Sequence, residues 1–324
     1  MTSTTKKQIP IVCPGHTRPL TELQFCQVGE DETLLVTACH DRLPMLRHGV
    51  SGDWIGTFAG HKGAVWSCQL DATANLAATA SGDFSLRVWD AITGQSLWEW
   101  KHKHILKSVS FSPSSKFLIS GGQEGLLRIY DLQKAAQNPS NLPEPVVLQQ
   151  TDASSNKLIP ITKCLWLDDA HILTGGADGI LRVWTTQATG APIRTISTDV
   201  KAEIRDMELS RDMLIVAVGK KVQLFQVDLA RDAIAITRQS SFDMPIHFQA
   251  EGGASIHPSH TKFVAGGSDL WVRVFDAKTG QELECHKGHH GPIRCLRYNP
   301  TGDLYASGSE DGTIRLWKTN PEAE

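Results

Sequence analysis

The most regular stretch of the chain opens with Gly288-His289-His290-Gly291-Pro292-Ile293 and closes with Tyr305-Ala306-Ser307-Gly308-Ser309-Glu310-Asp311-Gly312-Thr313-Ile314-Arg315-Leu316-Trp317. In its last part an acid is followed four positions on by Arg and six positions on by an aromatic. The same wording occurs at Asp83/Arg87/Trp89, Glu124/Arg128/Tyr130, Asp178/Arg182/Trp184 and Asp269/Arg273/Phe275, and a weaker copy starts at Asp41. The acidic positions step by 42, 41, 54, 91 and 42 residues. The long step hides a worn unit: counting six back from Phe225 puts its missing acid at Gly219. That makes seven units.

Within a unit, short alternating segments end at turn residues. In the last one, Ile293 to Tyr298 reads as a strand, 299–303 as a turn, Leu304 to Gly308 as a strand and Thr313 to Lys318 as another. A period of 40 to 45 residues with Gly-His near its start and Trp-Asp near its end, as in Gly60-His61 with Trp89-Asp90, resembles the WD40 repeat family. The expected fold is therefore all-β, a seven-bladed WD40 β-propeller made as a single domain over 1–324. Its blades are expected at about 14–58, 59–100, 101–148, 149–196, 197–240, 241–286 and 287–318. The last blade lacks an outer strand in its own stretch. Residues 8–13, Gln8-Ile9-Pro10-Ile11-Val12-Cys13, are expected to supply it and close the ring, removing two open sheet edges.

The charge balance is nearly even, with a net charge of -3, so no general attraction to nucleic acid or to an anionic membrane is expected. The first ten residues have no apolar run, so neither a signal peptide nor a spanning helix is expected. Seven cysteines with no Cys-x-x-Cys pair read as buried thiols of a reducing compartment, cytoplasm or nucleus. Two swollen spacings, at 137–145 and 228–243, read as exposed loops.

His61, Thr79, Asp83 and Trp89 in one unit, and His289, Ser307, Asp311 and Trp317 in another, are the residue types of a nucleophilic triad. A catalytic site is built once, whereas this set recurs with the period of the fold. The resemblance implies instead a structural tetrad in which Asp accepts from His, His meets the hydroxyl, and the hydroxyl meets the indole N–H. No enzyme activity, cofactor or metal is expected. The fourth unit keeps Thr174, Asp178 and Trp184 with Asn156 at the His position; the sixth keeps His247 and Asp269 but has Ala265 and Phe275; the fifth keeps almost nothing. Blades four to six are therefore expected to be the softer side of the ring.

The runs Gly52-Asp53-Trp54-Ile55-Gly56-Thr57-Phe58, Gly60-His61-Lys62-Gly63-Ala64-Val65-Trp66 and Lys101-His102-Lys103-His104-Ile105 resemble the serine-threonine kinase receptor-associated (Unr-interacting) family within the WD40 proteins. That resemblance implies a monomeric, non-catalytic adaptor of the survival-of-motor-neuron (SMN) complex and its Gemin-type subunits in spliceosomal snRNP assembly. For animal members it also implies receptor-kinase (TGF-beta) signalling. Two other readings stay open: the WD-repeat subunit of eukaryotic translation initiation factor three, and a cullin ubiquitin-ligase substrate receptor. For a scaffold, partner contacts are expected on the narrower face just after each Gly-His, at Arg18, Trp66, Lys107, Lys163 and Arg294.

Overall fold

In the computed structural model, which describes residues 8–30, 32–152, 154–187, 191–230, 233–248 and 252–319, seven four-stranded antiparallel sheets form the blades of a propeller. The first blade runs through Leu20–Val28, Glu32–Cys39, Met45–His48 and Trp54–Thr57, from the channel outward. Each later blade repeats that order. The middle strands of a blade are buried on both faces, as in Leu76–Ser81 and Leu304–Ser309, so they read as apolar or small-residue runs. Outer strands such as Trp54–Thr57 are half open to solvent.

The seventh blade is completed by Ile11–Cys13, which pairs antiparallel with Ile314–Lys318, Cys13 lying opposite Ile314. Cys13 is buried among Leu20, Leu35, Ile314 and Leu316, at the seam of the first and last blades. An added Cβ on Gly52 would come within 2.2 Å of the Cys13 sulfur, so the closing strand packs closely against the first blade.

Neighbouring blades are laced together around the channel by side chains of their innermost strands. Ser67 Oγ accepts from the Val109 N–H (3.1 Å), Ser108 Oγ from the Cys164 N–H (3.0 Å) and Ser255 Oγ from the Tyr298 N–H (2.8 Å). Thr21 and Thr162 donate to the Val65 and Ile204 carbonyls, both at 2.7 Å. The buried polar groups of one strand thus satisfy those of the next.

Both swollen spacings hold regular secondary structure among the described residues. Leu132–Gln137 is a short helix capped by Asp131, whose side chain accepts from the Lys134 N–H; Leu132 and Ala135 are buried. Trp100 Nε1 reaches the Pro143 carbonyl, so the proline-spaced stretch is tied down even though 137–141 is exposed. Among the described residues, the extra stretch at 228–243 is strand rather than loop: Lys221–Ala230 pairs antiparallel with Ala233–Asp243, residues 231–232 lie outside the described ones, and the fifth blade ends past residue 240.

Candidate functional site

The tetrads lie between the innermost turns and the third strands. His61 Nδ1 meets Asp83 Oδ2 at 2.9 Å and its Nε2 meets Thr79 Oγ1 at 2.6 Å; Trp89 Nε1 donates to the same Thr79 oxygen at 2.8 Å. His289 repeats this with Asp311 (3.2 Å) and Ser307 (2.8 Å), and Trp317 Nε1 donates to Ser307 at 2.8 Å. The tight turn after the acid needs a left-handed residue, Gly312 at φ +79°. Gly288 precedes its His because a Cβ there would come within 2.6 Å of an Arg315 guanidinium nitrogen.

A third set in the first blade pairs His16 with Asp41 (2.8 Å) and Thr37 (2.9 Å). Here Arg47 occupies the Trp position, buried, and donates to the Gly52 and Pro14 carbonyls. His16, Asp41 and Cys39 lie close enough together to suggest metal ligands. Their donor atoms are already used: both His16 nitrogens are hydrogen-bonded, and Cys39 Sγ donates to the Arg18 carbonyl.

The remaining blades depart from the expected pattern in a consistent way. In the fourth, the His position is taken by buried Gln150, which accepts from Thr174 Oγ1 at 2.6 Å, and not by Asn156, which sits exposed in a turn at φ +53°. In the third, Tyr130 OH stands between His102 Nε2 (2.9 Å) and Ser120 Oγ (3.1 Å), because a phenol reaches where an indole N–H would stop. Wherever His does not hold the acid, Arg does: Arg128 grips Glu124 (2.5 Å), Arg182 grips Asp178 (2.6 Å) and Arg273 grips Asp269. In the second blade, where His61 holds Asp83, Arg87 turns instead to Glu99 on the outer strand.

These networks are internal to the blades. The surface feature that varies is the mouth of the channel at the start of the innermost strands. Six of the seven innermost strands carry a β-bulge at the same place, where two residues oppose one on the neighbouring strand. The extra residues are Thr21, Trp66, Lys107, Thr162, Arg205 and Arg294, and all six line one small cavity of about 40 Å³ at the channel mouth. Lys107 Nζ stands 3.2 Å from the centre of the Trp66 ring, and His40 packs edge-on to that ring at 4.8 Å.

Of the expected contact residues, Trp66, Lys107, Lys163 and Arg294 therefore line the mouth, the first, second and fourth as bulged residues. Lys163 is one residue past the bulge and lines the floor of the mouth, where its ammonium pairs with Glu22 and lies 3.8 Å from Asp206. Arg18 is exposed off the mouth, beside His40, Asp41 and Lys62. Arg205 was not expected at all, because the worn fifth repeat has no Gly-His from which to count.

Below the mouth two linked ion pairs, Glu22 with Lys163 and Asp206 with Arg297, form a plug whose Glu22, Lys163 and Arg297 line both the mouth and the space beyond it. Beyond this plug the same strands enclose a cavity of about 460 Å³, bordered by Gln24, Gln69, Ser110, Glu208 and Tyr298. Enclosure by the cavity walls pushes the Glu208 carboxyl up to about 7, against the pull of Arg297.

A family model described as WD domain, G-beta repeat matches residues 52–90, 94–131, 153–185 and 280–318. The chain is 40% identical over 313 residues to the serine-threonine kinase receptor-associated protein of Gallus gallus, covering 97% of this chain and 83% of that protein. The chain belongs to the serine-threonine kinase receptor-associated protein family. The family member of Dictyostelium discoideum is 40% identical over 311 residues, covering 95% of this chain and 98% of its own length. Eukaryotic translation initiation factor 3 subunit I of Culex quinquefasciatus is more distant, 27% identical over 329 residues, with 95% of each chain covered. Membership of this family of WD-repeat proteins points to a scaffold for protein–protein interaction.

Proposed function

We propose that this protein is a non-catalytic adaptor of the SMN complex in spliceosomal snRNP assembly, acting in the cytoplasm and nucleus and presenting its channel mouth to Gemin-type subunits. The supporting observation is similarity over 97% of the chain to proteins whose name describes association with another protein. The polar sets that resemble catalytic groups are spent within the blades, each His bonded to its own acid and hydroxyl, which favours architecture over turnover. Receptor-kinase association, carried in the relatives' name, is a further role for the same surface.

A translation-initiation role is the second reading, favoured by the similarity to initiation factor 3 subunit I over nearly the whole chain. Affinity purification of the tagged full-length protein separates the two. Recovery of SMN and Gemin subunits supports the first reading, and recovery of initiation-factor subunits in their place supports the second. Recovery of cullin adaptors alone overturns both.

A further inference from the structure

The six bulged residues give the mouth a definite chemistry. Its cations are Lys107, Arg205 and Arg294. Arg294 is paired with Glu310 at 2.8 Å and Arg205 with Glu203 at 3.2 Å. In the floor, Lys163 and Arg297 are matched by Glu22 and Asp206. Lys107 is the surplus charge: among the described residues no carboxylate lies within ion-pair distance of it, and its ammonium rests on the Trp66 ring. Burial pushes Lys107 down to about 8, with Arg205 and Lys163 acting in the same direction and Glu203 opposing them. An arriving anion would relieve that crowding.

We propose that the channel mouth is a docking site for an acidic segment of a partner protein, one carboxylate of which enters between Lys107 and Arg205 against the edge of Trp66. The size of the mouth favours this occupant. A cavity of about 40 Å³ admits the carboxylate of one side chain and no nucleobase. Three cations grouped around one point suit a local acidic anchor better than a tracked phosphate backbone. Trp66 and Arg294 supply the aromatic and guanidinium contacts that concentrate binding energy at such anchors. Because the bulged residues lie outside the regular ladder, they can meet a partner without disturbing the pairing of the sheet.

The inference rests on the scaffold reading, but direct titration keeps the two separable, since it names no natural partner. The full-length protein is titrated with fluorescein-labelled hexaglutamate, with hexaglutamine and with oligouridylate at low and high salt. Hexaglutamate is expected to bind and to weaken with salt. Lys107→Glu and Arg205→Glu should each weaken it roughly tenfold or more. The Lys116→Glu control, on an exposed position away from the mouth, should leave it unchanged. Melting curves establish that each variant is folded; Lys107→Gln replaces any charge reversal that is not. Hexaglutamate binding no tighter than hexaglutamine, or insensitive to both mouth variants, overturns the proposal. Oligouridylate binding that hexaglutamate cannot displace overturns it in favour of nucleic acid. Normal peptide binding with no recovery of assembly factors would leave this inference standing and remove the SMN reading alone.

Discussion

Arg297 of the seventh blade grips Asp206 of the fifth through two hydrogen bonds of 2.7 Å, passing over the sixth blade between them. Both side chains are almost fully buried. Asp206 also accepts from the Ala254 N–H of the sixth blade, so one carboxylate ties three blades together. A fork of two parallel bonds fixes distance and direction at once, which a single contact would not.

Arg297→Met should therefore cost about 3–5 kcal/mol, because it leaves the Asp206 charge buried without its partner. Chemical denaturation measures this directly. The double variant Asp206→Leu/Arg297→Met should recover much of the loss, since it removes both charges together. A double variant as unstable as the single one would contradict the account.

In the seventh-blade tetrad, Asp311→Ala removes the acceptor for His289 and for the His290 and Thr313 N–H groups. Losing these bonds, with the buried His289 left without its acid, should cost about 2–3 kcal/mol. A melting temperature equal to that of the parent protein would count against a structural role for the set.

Deleting residues 1–13 strips the outer strand from the seventh blade and exposes the edge of Ile314–Lys318. The expected result is a lower melting temperature and a tendency to self-associate through that edge. Unchanged thermal stability would show that the ring does not depend on this strand.

Acid should weaken the fold in two stages. Burial lowers the His289 ring below its ordinary range and His102 to about 4, so these rings favour folding while neutral. That contribution is present above the ordinary histidine value and is lost as pH falls through the lowered one, between about 6.5 and 4. Asp41 follows: burial would raise it, but His16 and the Leu43 and Thr17 N–H groups bring it down to about 2. Its contribution is present above about pH 4 and is lost as pH falls towards 2. In the Glu208→Gln variant, which lacks the opposing carboxyl, a melting temperature that is flat from pH 7 to pH 4 would contradict the first stage.

Glu208 has the opposite sign. With its carboxyl raised to about 7, its contribution is present below the ordinary carboxylate value and is lost as pH rises through about 7. Glu208→Gln keeps an acceptor for the Ile256 N–H and removes the charge, so the variant should melt higher than the parent at pH 8. Equal melting temperatures at that pH would be evidence against it.

The blade count and the closing strand were legible because the acid–Arg–aromatic spacing survives in the third strands, where burial on both faces restricts what can replace it. The mouth was only half legible. Counting forward from the repeat's His finds Trp66, Lys107 and Arg294, but a bulge shifts the count by one: at the fourth blade the bulged residue is Thr162, and Lys163 sits in the floor of the mouth, paired with Glu22. Gln150 was missed because it stands farther upstream than His does in intact repeats, and a side-chain amide can serve the same hydroxyl. The Asp206–Arg297 pair left no trace in the sequence, since nothing local joins two positions on separate repeats. The expected softness of blades four to six remains a matter for amide exchange; at the junction of the fifth and sixth blades Phe263 stacks on Phe275 and on Phe242.

Ile11–Cys13 leaves the ribosome ahead of every blade, yet its hydrogen-bonding partner is the last strand of the ring to be made. Until then its exposed isoleucine and valine are unattended, and the nascent arc is open at both ends. Emergence of Ile314–Lys318 is the step that turns a row of sheets into a finished ring.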